Sequence, residues 1–224
     1  MKKLRTIQTI ADAGIVAVLR GDSPAQAVKM AEGALEGGIR IIEITMTVPY
    51  ALEAIKELSK RYAGSPDIVI GAGTVLDPET ARAAILDGAE FVVGPSLHEE
   101  TVVLCNRYRI PVMPGVMTIA DIQRALELGV DIVKLFPGNL YSPDMIRAVR
   151  GPLPQANLMP TGGVTLDNLA EWFEAGAVAV GIGSDLTREA VKTGEWHRVR
   201  TKAEQYVEKL AEARARSRAA WERG

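Results

Sequence analysis

The chain has 224 residues, of which 47% are hydrophobic, so it can bury a sizeable core as one large domain or two small ones. Its formal net charge of −2, from 26 basic and 28 acidic residues, excludes a general electrostatic attraction to nucleic acid or anionic lipid. The single cysteine, Cys105, excludes an internal disulfide, and no apolar run has the length of a transmembrane helix. We therefore expect a cytoplasmic protein with no nucleic-acid or membrane partner.

Short apolar segments rich in β-branched residues recur along the chain, and helical periodicity follows most of them. The predicted strands are Ile15–Leu19, Ile39–Ile44, Ile68–Ile70, Phe91–Val93, Val112–Met113, Ile132–Leu135, Leu158–Met159 and Val178–Ile182. The predicted helices include Ala25–Leu35, Ala51–Lys60, Glu79–Leu86, Thr101–Arg107, Ile119–Leu128 and Leu166–Phe173. Glycines that suit the left-handed end of a helix follow several of them, at Gly37-Gly38, Gly88, Gly129 and Gly176.

This repetition predicts an α/β fold with an eight-stranded parallel (β/α)8 barrel, often called a TIM barrel. About eight units, repeating every ~20–29 residues, match such a barrel better than a doubly wound sheet. The strands are apolar throughout, as expected for parallel strands covered by helices. Because no linker divides the chain, residues 1–224 are predicted to form one barrel domain. The N-terminal segment to about Thr9 and a helix from Trp196 onward are predicted to be additions to it.

Two charged residues lie near the carboxyl ends of otherwise apolar strands, where barrels carry their chemistry: Lys134 and Glu43. Burial lowers the pKa of a lysine, and a neutral amine is the form that attacks a carbonyl to give a Schiff base. Strand alternation between Ile42 and Ile44 directs Glu43 into the barrel, where a desolvated carboxylate can transfer protons near neutral pH. Lys134 could instead be a lysine whose charged end reaches solvent or part of a structural salt bridge, and Glu43 could form such a salt bridge with Lys134 or with Arg20.

Glycines follow the last two predicted strands, in Thr161-Gly162-Gly163 and Gly181-Ile182-Gly183-Ser184. Barrels commonly bind phosphate at this position through backbone amides and a helix N-terminus, and Ser184 could also cap the helix that follows. The alternative is that both segments are only tight turns. Gly71-Ala72-Gly73-Thr74 lacks the last glycine of a dinucleotide-binding fingerprint, so we interpret it as a turn with Thr74 available to a ligand oxygen.

Other reactive side chains form no recognisable motif. The sequence His98-Glu99-Glu100 lacks the spacing of zinc proteases, and no pattern indicates a metal ion or an organic cofactor. Cys105 lies in a predicted helix, and we interpret it as a packing residue. The charged C-terminal segment from Arg214 to Arg223 is interpreted as a solvated helix.

An ordered set of motifs resembles one known family. The motifs are Val18-Leu19-Arg20, Glu43–Pro49, Gly71–Val75, Pro114-Gly115, Lys134–Gly138, Pro160–Val164 and Gly181–Ser184. Together they are similar to the family of 2-keto-3-deoxy-6-phosphogluconate (KDPG) aldolases and 4-hydroxy-2-oxoglutarate aldolases. The resemblance implies a class I aldolase of the Entner–Doudoroff route, usually a homotrimer, with a phosphorylated keto-acid substrate and no cofactor.

The resemblance also implies a role for each matching residue. Lys134 would form the imine and Glu43 would be the general acid/base, while Thr74 would hold the pyruvate carboxylate. Thr161 would influence stereochemical preference. Known members carry arginine four residues after Glu43, whereas this chain has Thr47, and Arg20 could supply the missing positive charge. The expected substrate-binding residues are Arg20, Thr47, Thr74, Pro95, Phe136, Thr161, Gly162, Gly163, Gly183 and Ser184.

Several alternatives stay open from the sequence. An aldolase of the same mechanism could act on 4-hydroxy-2-oxoglutarate or on the galactonate epimer of the phosphorylated substrate. Another phosphate-binding barrel enzyme, such as an isomerase or a decarboxylase, could use Lys134 only as a charge. A barrel can also be a non-catalytic assembly subunit, because one fold carries many functions.

Overall fold

The computed structural model describes residues 1–221, with side chains to Arg216, so Arg223 and the other residues beyond 221 lie outside the described residues. The strands are β1 Ile15–Leu19, β2 Ile41–Thr45, β3 Val69–Gly73, β4 Val92–Val93, β5 Val112–Met113, β6 Gly115–Val116, β7 Val133–Leu135, β8 Leu158–Pro160 and β9 Val180–Ile182. The helices are α1 Lys2–Ala13, α2 Pro24–Glu36, α3 Ala51–Arg61, α4 Pro78–Leu86, α5 Glu99–Arg107, α6 Ile119–Glu127, α7 Pro143–Arg150, α8 Leu169–Glu174, α9 Ser184–Thr193 and α10 His197–Trp221.

The strands pair in parallel in two sheets. The larger sheet has six strands in the order β5-β4-β3-β2-β1-β9, and the smaller has three in the order β6-β7-β8. Glu43 lies opposite Val18 of β1 and opposite Gly71 of β3, so its position is fixed by ladders on both sides. The fold is therefore α/β with parallel strands, as the sequence predicts.

The two sheets approach each other at both ends. Only Pro114 separates β5 from β6, and proline has no backbone N–H for a strand ladder. At the other end Thr161 and Gly181 form a parallel bridge, and the Val178 amide donates to the Leu158 carbonyl at 3.0 Å. The short strand β6 was not predicted, because Pro114 and Gly115 are typical of the end of a strand and not of its start.

The strands separate two layers of apolar side chains. One face of each long strand packs outward under the helices, as Ile42 and Ile44 do. The other face forms a second cluster that includes Val18, Val69 and Phe91 together with Ile10 of α1. Helix α1 thus covers the amino-terminal side of this inner cluster, which leaves the carboxyl ends of the strands free to carry a site.

Most predicted elements are confirmed within a few residues, and two interpretations are wrong. Gly71 and Gly73 are part of β3 and form no turn. The N-cap of α9 is Gly183, and Ser184 is the first helical residue, with no side-chain cap bond. The predicted helix-ending glycines are confirmed by positive φ angles at Gly38, Gly88, Gly129 and Gly176.

The predicted C-terminal helix is confirmed as α10. Its buried residues Val199, Ala203, Tyr206 and Leu210 recur every three or four positions, so they form one face of the helix. This face packs against α2, α8 and α9. None of the helices within residues 1–221 combines the length and the apolar character needed to cross a bilayer.

Candidate active site

Glu43 is a buried carboxylate without a partner. It lies at the centre of β2 with only 1% of its surface exposed, and neither carboxylate oxygen has a hydrogen-bond partner among the described residues. The carboxylate occupies the space above Gly73, where a Cβ atom would overlap it. The glycines of β3 therefore make room for larger inner side chains: Gly73 for Glu43, and Gly71 for the Phe91 ring. Such an unpaired buried group is costly for stability, which is typical of functional sites.

Lys134 is the corresponding buried cation. It lies in the middle of β7, opposite Gly115 and Met159, and is 3% exposed, so its ammonium group does not reach solvent as the snorkelling alternative requires. Its Nζ atom lies 4.7 Å from the centre of the Phe136 ring, a cation–π distance. No ion pair within 4.0 Å joins Lys134 to an acidic group in the described part of the chain. The geometry thus lacks the close salt bridge with Glu43 that the sequence left open.

Burial shifts the pKa values of Glu43 and Lys134 in opposite directions, and the charge of each group affects the pKa of the other. Burial raises the pKa of the Glu43 carboxyl, an effect that the positive charges of Lys134 and Arg20 partly offset. Burial also lowers the pKa of the Lys134 ammonium, which the charge of Glu43 opposes and that of Arg20 reinforces. Both shifts favour the neutral forms, which are the forms that a nucleophilic amine and a proton-donating carboxyl require.

Thr161 contributes a third polar group to the same inner layer. It follows β8, is 5% exposed, and its Oγ1 atom is buried without a hydrogen-bond partner among the described residues. Its bridge partner Gly181 has no side chain, and a Cβ atom there would collide with the threonine. Glu43 and Thr161 thus both hold buried polar atoms that the chain itself leaves unpaired, which suits a polar ligand.

Two glycine loops, defined here as residues 162–164 and 183–185, follow β8 and β9. Gly162 and Gly163 have φ angles of 91° and 72°, which only glycine adopts without strain. Gly163 is exposed and packs closely against Asn139, and the Gly138 amide donates to the Thr161 carbonyl at 2.7 Å. The second loop runs into α9, whose ten residues supply free N-terminal amides.

The remaining predicted residues surround the same strand ends. Arg20 follows β1 and is exposed, and Thr74 follows β3 with a φ angle of 56°. Pro95 and Phe136 are half-buried, with the Pro95 carbonyl against Gly115.

Thr47 is exposed and belongs to a short hydrogen-bonded chain. Its Oγ1 lies 2.7 Å from that of the buried Thr45, which donates to the Leu19 carbonyl at 3.2 Å. Thr45 has a single hydroxyl proton, so Thr47 is the donor in their bond. Its hydroxyl proton is therefore directed to the protein, and Thr47 brings no charge to this side of the site.

Sequence reasoning missed the residues that hold the first glycine loop. Asn168 donates through Nδ2 to the Gly163 carbonyl at 2.9 Å and accepts through Oδ1 from the Thr165 amide at 2.9 Å. The Thr165-x-x-Asn168 spacing just before a helix was the available signal for such a turn.

Cys105 and metal-ligating groups do not add to the site. Cys105 is fully buried in α5, and burial raises the pKa of its thiol to about 12, so it is an inert packing residue. The part of the chain that the structure describes has no group of three or more potential metal-ligating His, Cys, Asp or Glu side chains.

The chain is similar to known proteins over most of its length. Residues 6–202 match the family model described as "Aldolase: KDPG and KHG aldolase", which is most of the chain and includes every residue of the site. The chain belongs to the KDPG and KHG aldolase family. This confirms the resemblance that the ordered motifs predict.

Individual members of the KDPG and KHG aldolase family match over most of their length. The 2-dehydro-3-deoxy-phosphogluconate aldolase of Pseudomonas aeruginosa is 35% identical over 216 residues, covering 95% of this chain and 97% of the relative. The 2-dehydro-3-deoxy-6-phosphogalactonate aldolase of Escherichia coli is 34% identical over 175 residues, covering 78% and 84%.

Solved structures superpose on most of this chain. A porous cage designed by fusing symmetric oligomeric domains superposes with a TM-score of 0.87 at 30% identity, covering 94% of this chain and 76% of that one. The KDPG aldolase of Legionella pneumophila, with pyruvate captured as a covalent carbinolamine intermediate, superposes with a TM-score of 0.80 at 29% identity, covering 88% and 95%.

Proposed function

We propose that this family member is a class I aldolase that reversibly cleaves KDPG to pyruvate and glyceraldehyde 3-phosphate. The observation that carries the proposal is the buried Lys134, whose lowered pKa is coupled to the unpartnered carboxyl of Glu43. A structural lysine would have an acceptor, whereas a Schiff-base lysine must be neutral and free to react. The covalent pyruvate intermediate captured in the Legionella enzyme supports the same chemistry.

The reaction begins with attack of the neutral Lys134 amine on the C2 ketone of the substrate. Loss of water gives a protonated imine, which draws electrons from the adjacent carbons. Glu43 then removes the proton of the C4 hydroxyl, directly or through one water, and the C3–C4 bond breaks. Glyceraldehyde 3-phosphate leaves, and the remaining two electrons form an enamine of pyruvate on Lys134. Protonation of the enamine and hydrolysis of the imine release pyruvate and regenerate the amine.

The ends of the substrate are assigned to opposite parts of the site. The pyruvate carboxylate is held by Thr74 and by the Arg20 guanidinium, because Thr47 has no charge. Thr161 accepts or donates a hydrogen bond to the hydroxyl groups near the scissile bond, which gives it a role in stereochemical preference. The remaining positions line the pocket or bind the distal phosphate: Pro95 and Phe136 for the pocket, and Gly162, Gly163, Gly183 and Ser184 for the phosphate.

A substrate panel tests this assignment. Pyruvate release would be measured from KDPG, from its galactonate epimer and from 4-hydroxy-2-oxoglutarate. We expect kcat/KM to be highest for a phosphorylated substrate, since loop amides and a helix N-terminus favour a dianion. A higher kcat/KM for the unphosphorylated acid would remove the role given to the two glycine loops. No pyruvate release from any of the three would favour an isomerase, a decarboxylase or a non-catalytic assembly subunit.

The galactonate epimer is the second candidate substrate. The relative from Escherichia coli that is 34% identical is named a 2-dehydro-3-deoxy-6-phosphogalactonate aldolase. The two substrates differ at C4, where Glu43 and Thr161 act in the proposed mechanism. Measuring both epimers in parallel decides between them.

Replacing Arg20 tests the anchor for the carboxylate. We expect Arg20→Met to raise KM for the keto acid about tenfold, as loss of a charged hydrogen bond does. Because the charge of Arg20 lowers the pKa of Lys134, the variant should also shift the pH dependence of imine formation upward. Arg40→Met is the matched control, since this exposed arginine pairs with Asp67 before the amino end of β2. An unchanged KM in Arg20→Met would assign the carboxylate to Thr74 and backbone amides alone.

The proposal includes the wider organisation of the protein. We propose that the two sheets close through the Thr161–Gly181 bridge and Pro114 into one barrel of eight strand positions, with β5 and β6 sharing one position. We also propose that residues 1–224 form one domain and that three copies of this domain form a homotrimer. The designed cage of symmetric oligomeric domains and exposed apolar side chains such as Leu86, Val103 and Leu140 support an oligomer. Placement in the Entner–Doudoroff route and in the cytoplasm stays a prediction.

A further inference from the structure

Tyr206 is the one hydroxyl group in the otherwise apolar stripe of α10 formed by Val199, Ala203, Tyr206 and Leu210. Its side chain is fully buried, and a packing role alone would be met by phenylalanine. The hydroxyl instead has polar neighbours in other parts of the fold. A buried tyrosine hydroxyl normally has a specific hydrogen-bond partner, so its partners indicate its role.

The partners of Tyr206 lie in both glycine loops. Its Oη donates to Oδ2 of Asp185 at 2.5 Å, and it lies 3.5 Å from the carbonyl oxygen of Val164. Asp185 directly follows Ser184 at the start of α9, and Val164 directly follows Gly163. One rigid side chain on a separate helix therefore contacts two loops that are 21 residues apart in the chain, as Val164 and Asp185 are.

The charge of Asp185 gives this contact a consequence for phosphate binding. A carboxylate in the first turn of a helix stabilises the helix but repels a phosphate dianion at the same N-terminus. Here Oδ2 of Asp185 is held on the α10 side by the Tyr206 hydroxyl and by Nζ of Lys202 at 3.2 Å. This arrangement keeps the carboxylate bound to α10 and partly neutralised while the amides of the loop stay free.

We infer that Tyr206 is a positioning residue that fixes the spacing of the two glycine loops and holds the Asp185 carboxylate away from the substrate phosphate. The inference rests on the proposed binding of phosphate at these loops. It gives α10 a part in substrate selection, although no residue of that helix touches the substrate in the proposed mechanism.

Tyr206→Phe removes only the hydroxyl and keeps the buried ring. We expect KM for the phosphorylated substrate to rise about tenfold with little change in kcat, because a loss of ground-state binding acts on KM. Activity on unphosphorylated 4-hydroxy-2-oxoglutarate should be unchanged, since that substrate has no phosphate to place. A purely structural role for the hydroxyl would instead affect the two substrates equally.

Two further variants sharpen the test. Asp185→Ala should raise the same KM less than Tyr206→Phe does, because it breaks the contact but also removes the repelling charge. The double variant Tyr206→Phe/Asp185→Ala should therefore match Asp185→Ala. Leu210→Ala is the control for packing: it opens a cavity one turn along the same stripe and should lower Tm while leaving the ratio of kcat/KM for the two substrates unchanged.

The outcomes separate this inference from the proposed function. If the wild type prefers the phosphorylated substrate and Tyr206→Phe retains that preference, the role of Tyr206 is refuted and the aldolase assignment stands. Additive effects in the double variant would also refute a shared interaction. If the wild type shows no preference for phosphate, the assignment of the glycine loops fails, and the inference fails with it.

Discussion

Incubation with pyruvate and borohydride is expected to add a stable mass increment of about 72 Da to one lysine, Lys134, because reduction fixes the imine as a secondary amine. Lys134→Met should abolish both the increment and pyruvate release. The matched control is Lys3→Met, which removes the other lysine that is buried among the described residues. The ammonium group of Lys3 is held by Asp131 at 2.9 Å and by Asn106 at 3.1 Å, so it is paired and unsuited to attack. Intact-mass and peptide-mass spectrometry measure the adduct and locate it.

The pH dependence of the adduct supplies a second test of the same lysine. The rate of imine formation should rise with pH as the amine loses its proton, with the rise centred below the ordinary lysine pKa of 10.5, since burial lowers the pKa of Lys134. A mass increment on any other lysine would contradict the class I mechanism. The absence of any mass increment on the folded wild-type protein would contradict it as well. A rise centred at the ordinary value would contradict the buried, neutral amine.

Glu43→Gln is expected to reduce kcat by about 100- to 10,000-fold, the usual contribution of a positioned proton-transfer group. The glutamine keeps the size of the side chain above Gly73 but cannot accept the C4 hydroxyl proton. The pyruvate adduct should still form, because attack by Lys134 does not require that proton transfer. Steady-state kinetics of pyruvate release, with borohydride trapping run in parallel, separates loss of cleavage from loss of imine formation.

Glu90→Gln is the control for replacing a carboxylate elsewhere in the sheet. Glu90 precedes β4 and pairs with Lys2 at 3.3 Å on the side covered by α1, so kcat should stay near the wild-type value.

In Glu43→Gln the rise of imine formation should also move to lower pH, since the charge of Glu43 raises the pKa of Lys134. Wild-type kcat in Glu43→Gln would make the base assignment wrong.

The sequence predicted the strands well where the hydrophobic pattern was long. β1 was predicted at the residues where it occurs, and Glu43 was directed to the inner face by alternation alone. The predicted strand boundaries were wrong where a residue type suits both a turn and a strand. The glycines of β3 are typical of a turn, and only the packed structure reveals that Gly71 and Gly73 are strand residues lying beneath Phe91 and Glu43.

The residues that support the site were harder to predict than the proposed reactive residues, Lys134 and Glu43. Lys134 and Glu43 were visible because a charge on an apolar strand is unusual in itself. Asn168 and Tyr206 were not, because a polar residue near a loop or in an amphipathic helix has many ordinary explanations. Their role depends on contacts with residues of other elements, such as Gly163 and Asp185, and those contacts have no local signature.

The amino-acid sequence by itself determined the family, the parallel α/β alternation and the two candidate reactive residues, because each of these depends on residue types at particular positions in the strands and motifs. Only the tertiary structure decided that Lys134 and Glu43 are buried without a close salt bridge and that their pKa values shift in opposite directions. It also decided that α10 contacts both glycine loops through Tyr206. Burial, the electric field of nearby charges and the distances between strands are properties of the packed chain. They depend on what surrounds a residue in space and not on its neighbours in the sequence.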